Sequence, residues 1–292
     1  MNQLRKQATH HVEDMPVPQR LSDYAIGIFE KIPSRKGIKK AIKKGLIYID
    51  HRVGNTGDWI RGGEEIVLYQ DQSKYKTLIY DIEVLYEDDQ MAAVYKPAEM
   101  LVNGNHHFTL ERALPHNLTQ SERVDAFDHP LPVHRLDFET AGIVLVAKTR
   151  LAFAHLQGQF NNKTIKKKYL AICCGLMDMD GIISLPIEDK KAVTRFELMD
   201  IIDSDKYGRL SLAAFYPITG RTHQIRVHTA SIGCPILGDK LYANLESPAY
   251  HKCHMLLAQS ISCTDTYGRA ISISIRPPKR MIRFFPILTL FD

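Results

Sequence analysis

The sequence predicts an α+β protein with a mixed or antiparallel sheet, preceded by a small domain of one helix and short strands. Strand patterns outnumber helical ones and do not alternate regularly with them, as they would in a doubly wound fold. The chain has 292 residues, enough for one large domain or two. We expect a disordered or loosely attached tail over 1–16, a small domain over 17–71, a linker over 72–80 and a large domain over 81–292.

The helix of the small domain is predicted by the basic segment KIPSRKGIKKAIKK, residues 31–44. Ser34 is a suitable N-cap and Gly45 a suitable C-terminal stop. The segment holds seven cations and no acid, which exceeds the net charge of +5 of the whole chain. Such a patch of one sign indicates a surface that contacts phosphate. The alternative is a surface helix whose lysines are merely solvated.

Short apolar runs bounded by turn residues predict the strands. In the small domain they cover 46–50 and 65–69. In the large domain they cover 82–86, 91–96, 142–147, 169–175, 194–202 and 209–218. Helices are expected near 150–160 and 222–232, the second capped by Thr222.

Several classes of protein are excluded by what the sequence lacks. It has no apolar run long enough for a bilayer, and its first residues have no apolar core for a secretory signal. Five cysteines without a CxxC pair favour free thiols and a cytoplasmic location. It contains no GxxxxGK[ST], GxGxxG or GxSxG motif. His251, Cys253 and His254 lack a matching second pair of ligands, so we expect no metal site.

Three segments carry the candidate chemistry: VHRLDFETAG (133–142), KKKYLAI (166–172) and GRTHQIRVH (220–228). Asp137 stands directly before an apolar strand, where a carboxylate is costly unless a cation or donor compensates it. Tyr169 adjoins lysines, a combination that suits a stacked base beside phosphate. Arg226 near the start of a helix is unfavourable for the helix dipole and therefore needs an acidic partner.

In this order the segments resemble the motif blocks of the RluA-type RNA pseudouridine synthases. The family's first block reads H-R-L-D-x-x-T-S-G, and the resemblance implies that Asp137 is catalytic, with Tyr169 and Arg226 beside it. VYKP (94–97) and CPILGDKLYA (234–243) match further. Ala141 replaces the family's usual Ser, and Glu99 stands where Gly is common. The resemblance implies an isomerase that turns uridine into pseudouridine and consumes no cofactor.

The basic segment resembles a second family, the alpha-L RNA-binding module shared with a small-subunit ribosomal protein. The two resemblances together imply that residues of both domains bind RNA. These residues are Arg35, Lys36, Lys39, Lys40, Lys43, Lys44, Arg135, Lys168, Arg221 and His223.

Alternatives remain open at this point. The chain could be an RNA-binding protein without catalysis, although Asp137, Tyr169 and Arg226 are all present. A glycosidase would need a second carboxylate, and Glu139 is too close in sequence to be assumed to flank the same bond. A monomer acting on large-subunit ribosomal RNA is expected, with tRNA as the other candidate. The sequence leaves open whether Asp137 attacks the ribose or deprotonates it.

Overall fold

The computed structural model describes residues 4–30, 32–71, 77–243 and 253–290. The chain divides into two compact units, Met1–Lys76 and Thr77–Asp292. None of the helices in these described ranges combines the length and the apolar character needed to cross a bilayer.

The first unit is a small α+β structure around one apolar core. In chain order its elements are β1 (Leu4–His11), β2 (Gln19–Arg20), α1 (Leu21–Tyr24), α2 (Arg35–Lys43), β3 (Ile47–Ile49), β4 (Arg52–Val53), β5 (Trp59–Ile60) and β6 (Glu65–Asp71). The main sheet has the order β1-β6-β3-β4, and β2 pairs with β5. Ile38, Ala41 and Ile42, at the spacing i, i+3 and i+4, form one apolar face of α2 and are buried in the core.

Helix α2 begins and ends at the residues that its sequence suggests. The Ser34 hydroxyl accepts a hydrogen bond from the Gly37 N–H at 3.2 Å, the standard N-cap arrangement. Gly45 follows the helix with φ of +65°, a conformation that glycine adopts without a Cβ penalty. Burying one narrow face leaves the cationic side chains of the helix exposed to solvent.

The prediction of a disordered or loosely attached tail over 1–16 is wrong for Leu4–His11. Residues Leu4–His11 form β1, which pairs antiparallel with β6 from Leu4↔Asp71 to His11↔Glu65. Backbone hydrogen bonds hold this edge strand, whereas its side chains are mostly half-buried or exposed. A charged edge strand with little buried apolar surface has no alternating pattern that the sequence could reveal.

The second unit is a large sheet with helices packed on it. Its elements are β7 (Val84–Glu87), β8 (Met91–Lys96), α3 (Leu110–Asn117), β9 (Ala126–Pro132), β10 (Ala141–Thr149), α4 (Arg150–Asn161), β11 (Lys166–Cys174), β12 (Asp180–Ile183), β13 (Thr194–Ser204), β14 (Gly208–Pro217), α5 (Gln224–Ser231), β15 (Leu256–Thr264), β16 (Ala270–Ser274) and α6 (Lys279–Ile282), followed by a 3-10 turn at Pro286–Leu290.

Strand β15 lies at the centre of this sheet, whose order is β12-β13-β14-β11-β15-β10-β8-β7. It pairs parallel with β10 and antiparallel with β11, and β16 pairs beside it. The remaining pairings are antiparallel, so the sheet is mixed. The α+β class with a mixed sheet is therefore confirmed.

Three details of the sequence prediction need correction or limitation. His223, not Thr222, is the N-cap residue of α5, and it adopts a left-handed backbone with φ of +53°. The strand β15 and its partner β16 were missed. Of the predicted linker 72–80, residues 72–76 lie outside the described residues, and Leu78 already hydrogen-bonds the backbone of Arg112.

Candidate active site

The motif segments converge on a cavity of about 330 Å³ in the second unit. It is lined by the loop before β10, by the start of β11 and by the turn that leads into α5. Asp137, Tyr169 and Arg226 all line it, although they come from three different elements. Among the described residues that line the cavity, Asp137 is the single carboxylate.

The Asp137 loop is fixed from one side by His134. The Nε2 atom of His134 accepts a hydrogen bond from the Leu145 N–H at 3.0 Å, so the ring is tied to the core strand β10. Burial, aided by the nearby Lys167 ammonium, lowers the pKa of His134 to about 3. The ring is therefore neutral at physiological pH, which leaves Nε2 able to accept this bond.

Lys96 fixes the loop from beneath. Its side chain is fully buried, and its ammonium donates hydrogen bonds to the carbonyls of Pro97 at 2.7 Å, Met100 at 2.8 Å and Phe138 at 3.2 Å. Three acceptors match the three N–H donors of an ammonium group. Burial lowers the pKa of Lys96 to about 7, and the Asp137 carboxylate opposes that shift. Because Phe138 follows Asp137 directly, this lysine determines where the catalytic candidate's backbone lies.

The far end of the loop is tied to the residues before β15. The Thr140 hydroxyl lies 2.8 Å from Nε2 of His254. Burial lowers the pKa of His254 to about 3. The backbone N–H of His254 donates to Oε2 of Glu139 at 3.1 Å. The Nζ atom of Lys240 lies 3.5 Å from Oε1 of the same carboxylate. Glu139 is thus engaged away from the cavity, which removes the second carboxylate that a glycosidase would need.

The close packing of β10 against β15 explains why the first block ends in a glycine, Gly142. It pairs with Ala258 across the parallel contact of β10 and β15, and its φ is +133°. A Cβ at this position would lie 2.4 Å from the Ala258 carbonyl oxygen, far inside van der Waals contact. The close approach brings β15 directly behind the loop of Asp137.

Glu99 occupies the position where the family pattern has glycine, and its backbone remains left-handed with φ of +62°. Glycine adopts this conformation without strain, whereas other residues do so at a cost of about 1–2 kcal/mol. The departure from the pattern therefore keeps the turn of the backbone, and Glu99 lies outside the cavity lining.

Arg226 is held by a carboxylate that the sequence analysis did not identify. Its Nε and Nη2 atoms donate to the two oxygens of Asp239 at 2.7 and 2.9 Å. Its Nη1 atom lies 3.5 Å from Oδ2 of Asp137, a longer contact than either bond to Asp239. The guanidinium therefore bridges two carboxylates, and the acidic partner expected for this arginine is Asp239 as well as Asp137.

Asp239 is a charged group with no exposed side-chain surface. Burial alone would raise its pKa, but hydrogen bonds from Arg226 and from the N–H groups of Leu241 and Tyr242 hold that pKa below its usual value. Asp239 lies within the CPILGDKLYA segment, which the sequence analysis quoted without giving it a role. The available signal was Arg226 itself, because a buried arginine needs a carboxylate that accepts two of its hydrogen bonds.

Tyr169 and His223 complete the cavity around Asp137. Burial, followed by the Asp137 charge, raises the pKa of Tyr169 well above its usual value, so its hydroxyl stays protonated at neutral pH. The Nε2 atom of His223 lies 3.8 Å from Oδ1 of Asp137, and its Nδ1 atom lies 2.9 Å from the Tyr242 hydroxyl. The Arg226 guanidinium also lies over the Tyr242 ring, 5.1 Å from its centre.

The predicted RNA-binding residues fall into three places. Arg135, Arg221 and His223 line the cavity. Lys168 lines a neighbouring groove. The cations of α2 and its C-cap are in the first unit and are exposed, with Arg35 paired to Asp23 at 2.7 Å. Their predicted roles in binding RNA remain predictions.

Known proteins are similar to this chain in sequence and in fold. A family model described as RNA pseudouridylate synthase matches residues 90–231. Over 276 residues the chain is 33% identical to an uncharacterized RNA pseudouridine synthase of Aquifex aeolicus, a match that covers 84% of this chain and 86% of the relative. It is 30% identical over 300 residues to ribosomal large subunit pseudouridine synthase C of Rickettsia prowazekii, covering 91% and 96% of the two chains.

A solved structure supports the fold independently. Human RNA pseudouridylate synthase domain containing 1 superposes with a TM-score of 0.57 at 22% identity, covering 68% of this chain and 84% of the human one. The resemblance that the motif segments carry is thereby confirmed, whereas the resemblance of the first unit to the alpha-L module remains a prediction. The chain belongs to the RluA-type RNA pseudouridine synthases, isomerases that convert uridine in RNA to pseudouridine.

Proposed function

We propose that the chain modifies uridine in large-subunit ribosomal RNA, with Asp137 as the catalytic residue. The observation that carries the catalytic assignment is the position of Asp137 as the sole carboxylate among the described lining residues, 3.5 Å from a buried arginine. The printed names of relatives such as ribosomal large subunit pseudouridine synthase C support the choice of RNA. We also propose that the protein acts as a monomer in the cytoplasm.

The reaction breaks the bond between N1 of uracil and C1′ of ribose and forms a bond between C5 and C1′. C5 loses a proton and N1 gains one, so neither oxidant nor energy source is needed. An ionised Asp137 would attack or deprotonate the ribose once the base has left the RNA stack. Arg226 supports this role, because its positive charge favours the carboxylate form of a neighbouring acid.

Tyr169 would hold the extruded uracil. An aromatic ring provides a stacking surface for any base, and the ring lies in the same cavity as Asp137. Because the raised pKa keeps its hydroxyl protonated, the phenol would act as a hydrogen-bond donor to the base rather than as an anionic base.

The direct test is a map of pseudouridine in total RNA from cells with and without the gene. We expect one or a few sites in large-subunit ribosomal RNA to disappear with the gene and to return when the full chain is supplied. If pseudouridine sites disappear from tRNA while those of ribosomal RNA are unchanged, the substrate is tRNA and our proposal of ribosomal RNA is wrong.

The basic helix α2 is proposed to add affinity without taking part in the chemistry. Replacing Lys39, Lys40, Lys43 and Lys44 by Gln should lower the slope of log affinity against log salt by about 3, since each lost phosphate contact removes about 0.7–0.9. The rate at saturating RNA should change little. Fluorescence anisotropy over a salt series measures the slope.

The matched control replaces the same four lysines of α2 by Arg, which keeps the charge and should keep the slope. A Gln variant whose slope equals that of the wild type would mean that these side chains are only a solvated surface.

A further inference from the structure

A second concave surface of the large unit adjoins the active-site cavity. It has a volume of about 430 Å³, within the range of sites that hold small molecules. Lys167 and Pro217 line both this groove and the active-site cavity, so the two spaces are adjacent. The proposed function leaves this groove without a role.

The groove is strongly cationic. No carboxylate is present among the described residues that line it. Its charged and aromatic lining consists of Lys163, Lys166, Lys167, Lys168, Arg195 and Tyr216. A concave surface with one sign of charge concentrates field lines and attracts the opposite charge, here the phosphate of a nucleic acid strand.

The strand register places the groove residues in rows across the sheet. Arg195 of β13 lies opposite Tyr216 of β14, and Lys168 of β11 lies opposite Ser260 of β15. Because Tyr169 pairs with Phe215, the preceding Lys168 and the following Tyr216 are also cross-strand neighbours. The row from Arg195 to Ser260 therefore forms one continuous polar strip on rigid strands.

One end of the strip is a platform formed by Arg195 and Tyr216. The Arg195 guanidinium lies 4.2 Å from the centre of the Tyr216 ring. Glu197 fixes both partners, since one of its oxygens accepts from Arg195 Nη1 and the other accepts from the Tyr216 hydroxyl at 3.0 Å. The Arg195 side chain is 45% exposed to solvent. An exposed guanidinium plane held in place on an aromatic ring offers a stacking surface for a base.

Lys167 stands where the two spaces meet. Burial lowers the pKa of its ammonium, which is the mark of a cation partly removed from water. Within the part of the chain that the structure describes, no hydrogen bond or ion pair of this ammonium compensates that loss. A phosphate group would compensate it, because an anion near a desolvated cation stabilises the charged form.

We propose that the groove is a subsite for the nucleotide that adjoins the target uridine in the RNA strand. The base of that neighbour stacks on the Arg195–Tyr216 platform. The phosphate that joins it to the target contacts Lys167, which faces both spaces. The subsite binds an unstacked base of any identity, because every base has a face that can stack. This inference rests on the proposed action on RNA and adds a requirement that the flanking nucleotide also leaves the stack.

The test measures binding of two fluorescent probes to the full-length chain carrying Asp137→Asn, so that no turnover occurs. One probe is a short oligouridylate, and the other is an abasic oligomer of the same length and the same number of phosphates. Arg195→Lys keeps the charge but removes the plane. It should weaken oligouridylate binding about tenfold, which is within the range for one stacked base, and leave the abasic oligomer unaffected.

Lys167→Gln should instead lower the salt slope by about 0.7 for both probes, the value for one phosphate contact on a single strand. The control is Lys206→Gln, which removes one exposed charge at the far end of the hairpin of β13 and β14 and should change neither quantity. Equal binding of oligouridylate by the Arg195→Lys protein and its parent would overturn the base subsite. An unchanged slope for Lys167→Gln would overturn the phosphate contact.

These outcomes are separate from those of the proposed function. The binding assay involves no isomerisation, so loss of oligouridylate affinity in Arg195→Lys supports the groove whatever the site map of pseudouridine shows. A gene-dependent site in ribosomal RNA, together with Arg195→Lys binding that equals that of its parent, would support the substrate and reject the groove.

Discussion

Replacing Asp137 by Asn is expected to reduce pseudouridine formation by about 10³-fold or more, with little loss of stability. The amide has the same shape as the carboxylate but neither attacks carbon nor accepts a proton readily. The contacts that fix the loop are made by the buried Lys96, by His134 and by Thr140, and none of them uses the Asp137 side chain. A single-turnover assay on RNA from cells lacking the gene measures the rate, and circular dichroism checks the fold.

The matched control for this prediction is Glu139→Gln. It makes the same change of charge two residues away, and the new amide oxygen still accepts the N–H of His254. We expect this variant to retain most of the activity. A folded Asp137→Asn protein that still forms pseudouridine would disprove the assignment, and a loss of activity in both variants would indicate a reaction with paired carboxylates.

Replacing Arg226 by Met is expected to lower both stability and activity. Asp239 would then be a buried carboxylate without its cation, and breaking such a pair costs about 3–5 kcal/mol. For a chain of this length we expect the melting temperature to fall by roughly 10 °C. The contrasting case is Asp203→Asn, which removes an exposed pair with Arg209 and should change the stability by less than about 1 kcal/mol.

The effect of Arg226→Met should depend on pH in a defined direction. In the wild type the pKa of Asp239 is lowered, so its contribution is present at neutral pH and is lost only in acid, as the pH falls through that lowered value. In the variant, burial without the cation raises the pKa of Asp239 above its unfolded value. The variant should therefore become more stable as the pH falls from 7, by up to about 1.4 kcal/mol per pH unit.

A second substitution separates stability from catalysis. Adding Asp239→Asn to Arg226→Met removes the buried charge while keeping an oxygen for the N–H groups of Leu241 and Tyr242. This double variant should recover much of the melting temperature and lose the pH dependence, since replacing both partners avoids an uncompensated charge. Its activity should remain low because Asp137 still lacks its cation. Full activity in the double variant would show that Arg226 serves only to hold the fold.

The sequence predicted the elements whose local pattern matches their burial. Helix α2 has a cap, a stop and one apolar face, and β10 has an uninterrupted apolar run, so both were found near their true bounds. Edge strand β1 was missed because partners distant in the sequence, rather than its own apolar residues, make it a strand. The motif segments, through their resemblance to one family, also predicted that Asp137, Tyr169 and Arg226 lie close together, and all three line one cavity.

The supports of the cavity were less accessible from the sequence. Lys96 and Asp239 are charged residues, which a sequence alone places at the surface by default. Their burial depends on acceptors and donors supplied by distant segments, the carbonyl of Phe138 for one and the guanidinium of Arg226 for the other. Similarly, the left-handed His223 occupies the N-cap position of α5 in place of Thr222, and its ring contacts the Tyr242 hydroxyl of a separate segment.

The central position of β15 means that the large sheet is completed only late in the synthesis of the chain. The ribosome makes β10 and β11 early, yet in the finished sheet these strands meet only through β15. At about 5–20 residues per second, the nascent chain spends roughly ten seconds between completing β10 and completing β15. During that interval the edges of β10 and β11 that later pair with β15 lack this partner and are open to wrong ones. A chain that stops before Leu256 therefore contains all three motif segments but lacks both a residue that lines the cavity and the strand that joins β10 to β11.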